Sequence, residues 1–583
     1  MNTNWNDPNF EGFAGQNPFQ KKAGRPKKAR KAIGSPLGRT LLNLAITLLF
    51  GAVYYYVVLP PINLQAKDFY VFALLLCLVY VVCAMLTSGF QGTGVKGYFG
   101  FVKQQCKIPA LLAAALIAVA VVGAVIGWQV FRASAYRDLL EVNTGDFAAE
   151  VEEISFDQIP MLDRASASKL GNRKLGELAD MVSQFEVDDD YTQINYKGRP
   201  VRVTSLRYGD WIKWFNNRAD GLPAYLVIDM VTQNVDVVRL SDGIRYTTAE
   251  HFGRNLQRYL RFHYPTYMFD TPAFEIDEEG NPYWVCPRMI KTIGLFGGTD
   301  INGAVLVNAI TGECSYYDAA DVPQWVDHVY TADLIIRQYD YHGTYINGFI
   351  NSVFGQREVT ETTDGYNYIA IGDDVYMYTG ITSVVSDESN IGFILSNQRT
   401  KETSFYSVAG AEEYSAMDSA QGQVQQMHYE ATFPLLLNIS EQPTYFMALK
   451  DAAGLVKMYA MVNVSQYQIV ATGATVAECE SNYRVMLANN RLVDESEAEL
   501  PTTTDQAESS GKIAEIRSAV IDGNTWYYLR LNGESVYYAI SAAQDRSVVI
   551  LNVGDAVTVK HASGEDSILQ AYSLIREKET EKS

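Results

Sequence analysis

Histidine and cysteine are scarce in this chain, six of each in 583 residues. His251, His263, His328, His342, His428 and His561 show no HExxH and no paired spacing, and no cysteines form a CxxC, so the usual zinc patterns are missing. So few thiols also argue against a disulfide-stapled scaffold. Cys286 and Cys314 fall on consecutive expected strands, and a bond between them is a matter of geometry. Basic residues become scarce after residue 131: 35 Lys/Arg stand against 64 Asp/Glu, a net of −29, whereas residues 1–131 carry 12 against 3, a net of +9. Binding to phosphates rests on neutralising them with Lys and Arg, so the acidic body is not expected to take nucleic acid. Its charge favours solubility.

What is present begins with address. Residues 1–39, rich in Asn, Gly, Pro and Lys, read as a disordered basic tail, with eight cations from Lys21 to Arg39. Residues 40–131 hold three apolar segments, Thr40–Leu59, Phe69–Phe90 and Ile108–Phe131, each near the 20 or so residues that a bilayer core demands. The tail and the 91–107 loop carry eight and three basic residues, and the 60–68 loop only Lys67. The positive-inside rule therefore predicts a cytoplasmic tail and an extracytoplasmic body after Phe131, in a multi-pass protein of the cell membrane. The 91–107 loop spells Gly92-Thr93-Gly94-Val95-Lys96-Gly97, but without a βαβ context this is chance rather than a dinucleotide fingerprint.

Beyond the membrane segment the pattern is α+β: a first helix-then-strands unit at 132–248, a second at 249–345 and further repeats at 346–491. Helices are expected at Lys169–Phe185, Ala249–Pro265, Pro323–Tyr339, Ser415–Met427 and Val476–Asn490. One hairpin recurs. Val307–Cys314 (VNAITGEC) aligns with Ile228–Val235 (IDMVTQNV), with SNQRTKET from Ser396 and, more loosely, with VNVSQYQI from Val462. The equivalent Asp229, Asn308, Asn397 and Asn463 are unevenly spaced, which fits diverged copies of one module rather than a solenoid. An acidic linker at 492–511 leads to short alternating strands over 512–576, read as a small OB- or SH3-like β-barrel, and 577–583 is a tail.

The stretch Ala249–Tyr317 resembles the PepSY module. The likeness is carried by a helix ending at an aromatic-Pro step, then FEIDEEGNPYWV, then AVLVNAITGE, where Leu306–Glu313 matches the family's LVDAxTGE hairpin with Asn308 in place of Asp. KTIGLFGGTDING is an insertion between the strands. The resemblance implies non-catalytic extracytoplasmic binding or regulation and supplies no active site.

Catalytic patterns are incomplete. Ser166-Ala167-Ser168-Lys169 is an S-x-x-K string without properly spaced S-x-N and K-T-G partners, and it reads as a polar helix start with Ser166 exposed. Asp188–Asp190 and Asp277–Glu279 lack a calcium-loop pattern and read as solvated turns. Arg254, Arg258 and Arg261 would share one helical stripe, able to dock an acidic partner or to balance nearby acids. The expectation is thus a non-enzymatic, membrane-anchored binding or regulatory protein of the bacterial envelope, with no cofactor and no metal. Its partners would be the lipid bilayer and an envelope protein, such as a secreted protease or wall enzyme under its control. The alternative is an accessory subunit of a membrane transport or envelope complex.

Overall fold

The computed structural model describes residues 32–90, 94–153, 159–384, 386–493, 506–521, 524–541, 546–562 and 567–576. Most of both expected tails and of the acidic linker lies outside these ranges. The chain divides into two compact units, Met1–Val125 and Ile126–Ser583.

In the first unit, Pro36–Val58, Lys67–Thr87 and Lys107–Ile126 are each long and apolar enough to cross a membrane. Pro36 opens the first helix and the Ser35 hydroxyl caps it by accepting from the Gly38 amide. Gly51 admits Leu76 closely, since a Cβ there would stand 3.0 Å from Leu76 Cδ2. Thr87 Oγ1 donates to Asn43 Oδ1 (3.0 Å), joining the same two helices. Where the sequence reading has a plain loop, Gly94–Gln105 is helical. Phe101 and Val102 pack it beside Ala84 and Met85, an apolar face that a reading centred on the glycines overlooks.

The second unit contains one topology four times. The first sheet has strands Phe185–Val187, Thr192–Tyr196, Arg199–Tyr208, Leu222–Asp229 and Val235–Ile244. The second has Met268–Phe269, Ala273–Ile276, Pro282–Ile293, Gly297–Asn308 and Cys314–Asp318. The third has Thr360–Thr362, Asn367–Ile371, Asp374–Ser383, Ser386–Asn397 and Thr403–Tyr406, and the fourth Glu430–Ala431, Leu435–Ile439, Gln442–Lys450, Val456–Asn463 and Val470–Gly473. In every sheet the two short opening strands both pair with the third, and the third, fourth and fifth form an antiparallel meander. A helix precedes each: Arg164–Gly176, Leu256–His263, Ala332–Thr344 and Glu413–Gln423. The third sheet is widened by Gly410–Ala411 and by Val142–Gly145, which runs parallel to Thr403–Tyr406.

The recurring Asx residue explains why the hairpin is legible. Asp229 Oδ1 accepts from the amides of Val231 (2.9 Å) and Thr232 (2.7 Å), Asn308 Oδ1 from Ile310 (3.0 Å) and Thr311 (2.9 Å), and Asn397 Oδ1 from Arg399 (2.8 Å) and Thr400 (3.0 Å). Each fixes a turn whose fifth residue, Gln233, Gly312 or Lys401, has positive φ. Asn463 does the same with the Gln466 amide (2.8 Å), in a loop one residue longer. A second repeat went unread. Residue 200, 282, 375 or 443, early in the third strand, accepts from the amide following the Asx, and three of the four are proline.

Three expected helices shift for local reasons. Ala249–Pro265 is α-helical only from Leu256, after a 3-10 turn at Phe252–Arg254, because Asn255 Oδ1 caps the Arg258 amide (3.3 Å) and the Glu250 carboxylate turns away to Trp214 Nε1 (2.8 Å). Pro323 starts no helix: the amides of Asp327 and His328 go to a side chain described below, and the helix starts at Ala332. Lys169–Phe185 stops at Gly176 and re-enters a strand at Phe185. Cys286 and Cys314 are both free. They sit opposite Val305 and Val307 on the two strands flanking Gly297–Asn308. Two strand spacings, about 10 Å, exceed what a disulfide spans.

The first two sheets share a core through Leu226, Ile228, Phe274 and Val305, and the last two through Phe393, Leu437, Phe446 and Tyr483. Helix Ala332–Thr344 joins the second and third through Ile335, Leu306 and Ile394. At the C-terminal end, Gln506–Ile521, Asn524–Leu531, Tyr537–Ser541, Ala556–Ala562 and Ile568–Arg576 pair in the order first, second, third, fifth, fourth and back to the first, a closed barrel whose third and fifth strands are parallel.

Candidate functional site

Strand alternation sends one face of each sheet to the core and the other elsewhere. Val201 and Val203 enter the core of the first sheet, so Arg202 between them faces the opposite side, paired in register with Gln193. Phe274 and Ile276 likewise point inward and Glu275 away. These outward faces are covered by the segment before Ala332–Thr344 and by the third sheet, so polar residues end up buried at a junction of three sheets.

The junction is wired through backbone groups. Glu275 accepts from the amides of Asp327 (2.9 Å) and His328 (3.0 Å). Asp327 Oδ2 accepts from the Asn195 amide (2.7 Å), and Asn195 Nδ2 donates to Gly372 O (2.9 Å). His328 Nε2 lies 2.6 Å from Gln193 O, and Gln193 Nε2 donates to Tyr368 O (3.2 Å). Burial pushes the His328 imidazole down to about 4, so at neutral pH it is uncharged and Nε2 carries the proton it donates. Burial also raises the Glu275 carboxyl to about 7 against its two amide donors. The Asp327 carboxyl is raised by burial and then by Glu275, and its Oδ1 has no partner.

Above this network opens a cleft of about 860 Å³, within the size range of small-molecule sites. Arg202, Thr271, His328, Thr331, Tyr366 and Tyr368 are among its lining residues. Arg202 is its singular feature. The side chain is buried, Nε donates to Leu162 O (3.3 Å) and Nη2 to Gln193 Oε1 (3.3 Å), both uncharged and both long. Among the described residues no carboxylate lies within 4.0 Å of it. The nearby Asp163 is engaged by Lys450 (2.5 Å) and by the Ser166 amide (2.9 Å). Burial lowers the guanidinium to about 10, with Asp163 opposing, and it remains charged. At the rim, Arg164 is paired with Asp190 (2.9 Å).

No family model matches the chain, and no curated protein matches its sequence. The candidate site therefore rests on its geometry.

The sequence-derived arginine stripe is not one surface. Arg261 is buried and donates to Tyr267 O (2.5 Å), closing the turn after its helix. Arg258 bonds Phe252 O (2.8 Å). Arg254, outside the α-helix, bonds Arg218 O (2.7 Å) beside a separate cavity of about 330 Å³ with Trp214, His251 and Phe252. Ser166, expected to be exposed, is buried, and Lys169 points away to Ala453 O (2.7 Å). Asp277, read as a solvated turn residue, is buried and caps its own hairpin through the Glu279 and Asn281 amides. Of the histidines only His328 reaches the cleft. Arg202 and Glu275 escape a sequence reading because a charged residue alternating with apolar ones in a strand normally marks the solvent face, and Asp327 because its segment is expected to be helical. Only knowing that another sheet covers that face would have identified the first two.

Proposed function

We propose that the chain is a membrane-anchored, extracytoplasmic binding and regulatory protein of the bacterial envelope, built from PepSY-like units and an OB-like terminal barrel. Its cleft takes a carboxylate-bearing ligand, such as a peptide C-terminus, opposite Arg202. The observation that carries this is a buried guanidinium lining a cleft with no carboxylate within 4.0 Å of it among the described residues, Asp163 acting on it only from farther off. A buried charge that no counter-ion touches is costly, and a bidentate carboxylate is its natural complement. The tyrosine and threonine lining suits the rest of a short peptide. The PepSY reading is supported by the helix-then-sheet unit and its Asx hairpin. The barrel reading is supported by strand order and by the parallel third and fifth strands. Regulation of a secreted protease or wall enzyme fits an anchored module that reads peptide ends.

The test is calorimetry of the full chain in nanodiscs against random tetrapeptide pools with free or amidated C-termini. Free acids should bind and amides should not, Arg202→Met should abolish the difference, and Arg202→Lys should weaken it by roughly tenfold or more, since lysine lacks the bidentate fork. Indifference to the terminus, or retention of the preference in Arg202→Met, would reject the reading. Orientation has its own test. Protease added to intact protoplasts should cut the 492–511 linker and spare the tail, whereas cutting of the linker only in inverted vesicles would reverse the topology.

A further inference from the structure

Outside the cleft, one group of exposed apolar side chains gathers where the chain enters the second unit. Helix Lys107–Ile126 is followed within three residues by Gln129–Arg137. The Tyr136 hydroxyl donates back to Gly127 O (2.8 Å), fixing that entry. Tyr136 packs edge-on to Tyr341 with ring centroids 4.9 Å apart, and the row continues through Tyr345 to Phe349 at 6.2 and 6.3 Å. Phe349 belongs to Gly348–Ile350, and a π-helical turn, Asn351–Gly355, follows. That turn is held by Asn347 and Asn351, whose side-chain amides both donate to Arg357 O (3.1 and 2.9 Å). A braced turn therefore holds Ile350 at 76%, Val353 at 52% and Phe354 at 85% exposure. Trp128 and Phe131, at 55% and 66%, stand at the start of the same assembly, their rings 6.0 Å apart. Arg132 and Arg357 are exposed next to these residues in the chain.

We propose that the surface bearing Trp128, Phe131, Ile350, Val353 and Phe354 is seated in the headgroup–acyl boundary of the bilayer that the apolar helices cross. Lipid is the occupant the observations favour. Covalent continuity places Trp128 two residues beyond a membrane-capable helix. Aromatic side chains accompanied by arginine are the chemistry of that boundary, where ring and stem are buried and the cation meets phosphate. The Tyr136–Phe349 row couples the turn to the entry helix, so anchoring one orients the other. The body would then rest on the membrane through a second, non-covalent contact.

The test uses the full chain in nanodiscs of phosphatidylcholine and phosphatidylglycerol containing an acyl-chain diazirine, followed by photolysis and peptide mass spectrometry. Carbene insertion is expected at 128–131 and 350–354 as well as within 107–126. The exposed Trp211, Ile212 and Phe215 serve as the control for labelling from water, and none is expected there. In the double variant Val353→Ser/Phe354→Ser, whose side chains support no core, insertion at Ile350 should be lost while that in 107–126 is retained. Absence of label from 350–354 in the unmodified chain, equal label at 211–215, or unchanged insertion at Ile350 in the double variant would each overturn the proposal.

Discussion

Replacing Arg484 with Met is expected to destabilise the fourth sheet unit by about 3–5 kcal/mol, the usual cost of removing one partner from a buried ion pair. Arg484 lies on helix Val476–Asn489, with only 5% of its side chain exposed. Its Nε donates to Glu480 Oε1 (2.5 Å), one turn earlier, and its other nitrogens reach Ser440 and Glu153. Glu480 is buried in its turn and its second oxygen has no partner. Burial raises that carboxyl to about 7 even with Arg484 opposing. Methionine would fill much of the volume but leave the acid without a counter-charge and Ser440 without its donor. The partner change Glu480→Leu in the same chain should recover most of the loss, because an apolar pair of similar volume escapes the desolvation cost. Guanidinium melts of the single and double variants decide it. A single-variant loss below about 1 kcal/mol, the range of exposed pairs, would show that the pair is solvated.

Legibility in the sequence followed the range of the interactions. The three apolar helices were readable because a bilayer imposes length and composition locally. The four hairpins were readable because an Asx side chain closes its own turn within three residues, so Asp229, Asn308, Asn397 and Asn463 kept the same chemistry through divergence. Four of the five barrel strands are visible by alternation, but Ile568–Arg576 is not, and the first strand begins at Gln506, inside the segment expected to be linker. What failed was decided at a distance. The helix expected at Pro323 gave way because Glu275, about fifty residues earlier, takes two of the amides it would have used. The arginine stripe dissolved because Asn255 moved the helix start and because the Arg261 guanidinium closes a turn. The cleft was invisible because it forms only where separate repeats meet.

Asp327→Asn should stabilise the protein, and by more as the pH rises. Glu275 and Asp327 face each other at the buried junction, and both carboxyls are raised above their ordinary values, Glu275 to about 7 chiefly by burial and Asp327 by burial and then Glu275. His328 beside them is neutral and brings no compensating charge. Of the outer acids that add to Asp327, Asp374 is paired with Arg399 (2.7 Å) and Asp373 lies next to it. An acid whose pKa is higher in the folded than in the unfolded state holds its proton longer when folded. Its contribution to stability is therefore intact below the unfolded value, near 4.5 for Glu275, and declines as pH climbs toward about 7. The slope approaches 1.4 kcal/mol per pH unit for each proton so held. Asparagine keeps the oxygen that accepts from the Asn195 amide, removes one charge of the pair and lets Glu275 ionise more easily. The stability difference between variant and parent should begin to grow above about pH 4, where an unfolded aspartate ionises, and keep growing through pH 7, as read from denaturant melts of the full chain across that range. A difference that is constant with pH would mean the two acids are hydrated and independent. One that shrinks as pH rises would mean that the charged form of Asp327 is what holds the three sheets together.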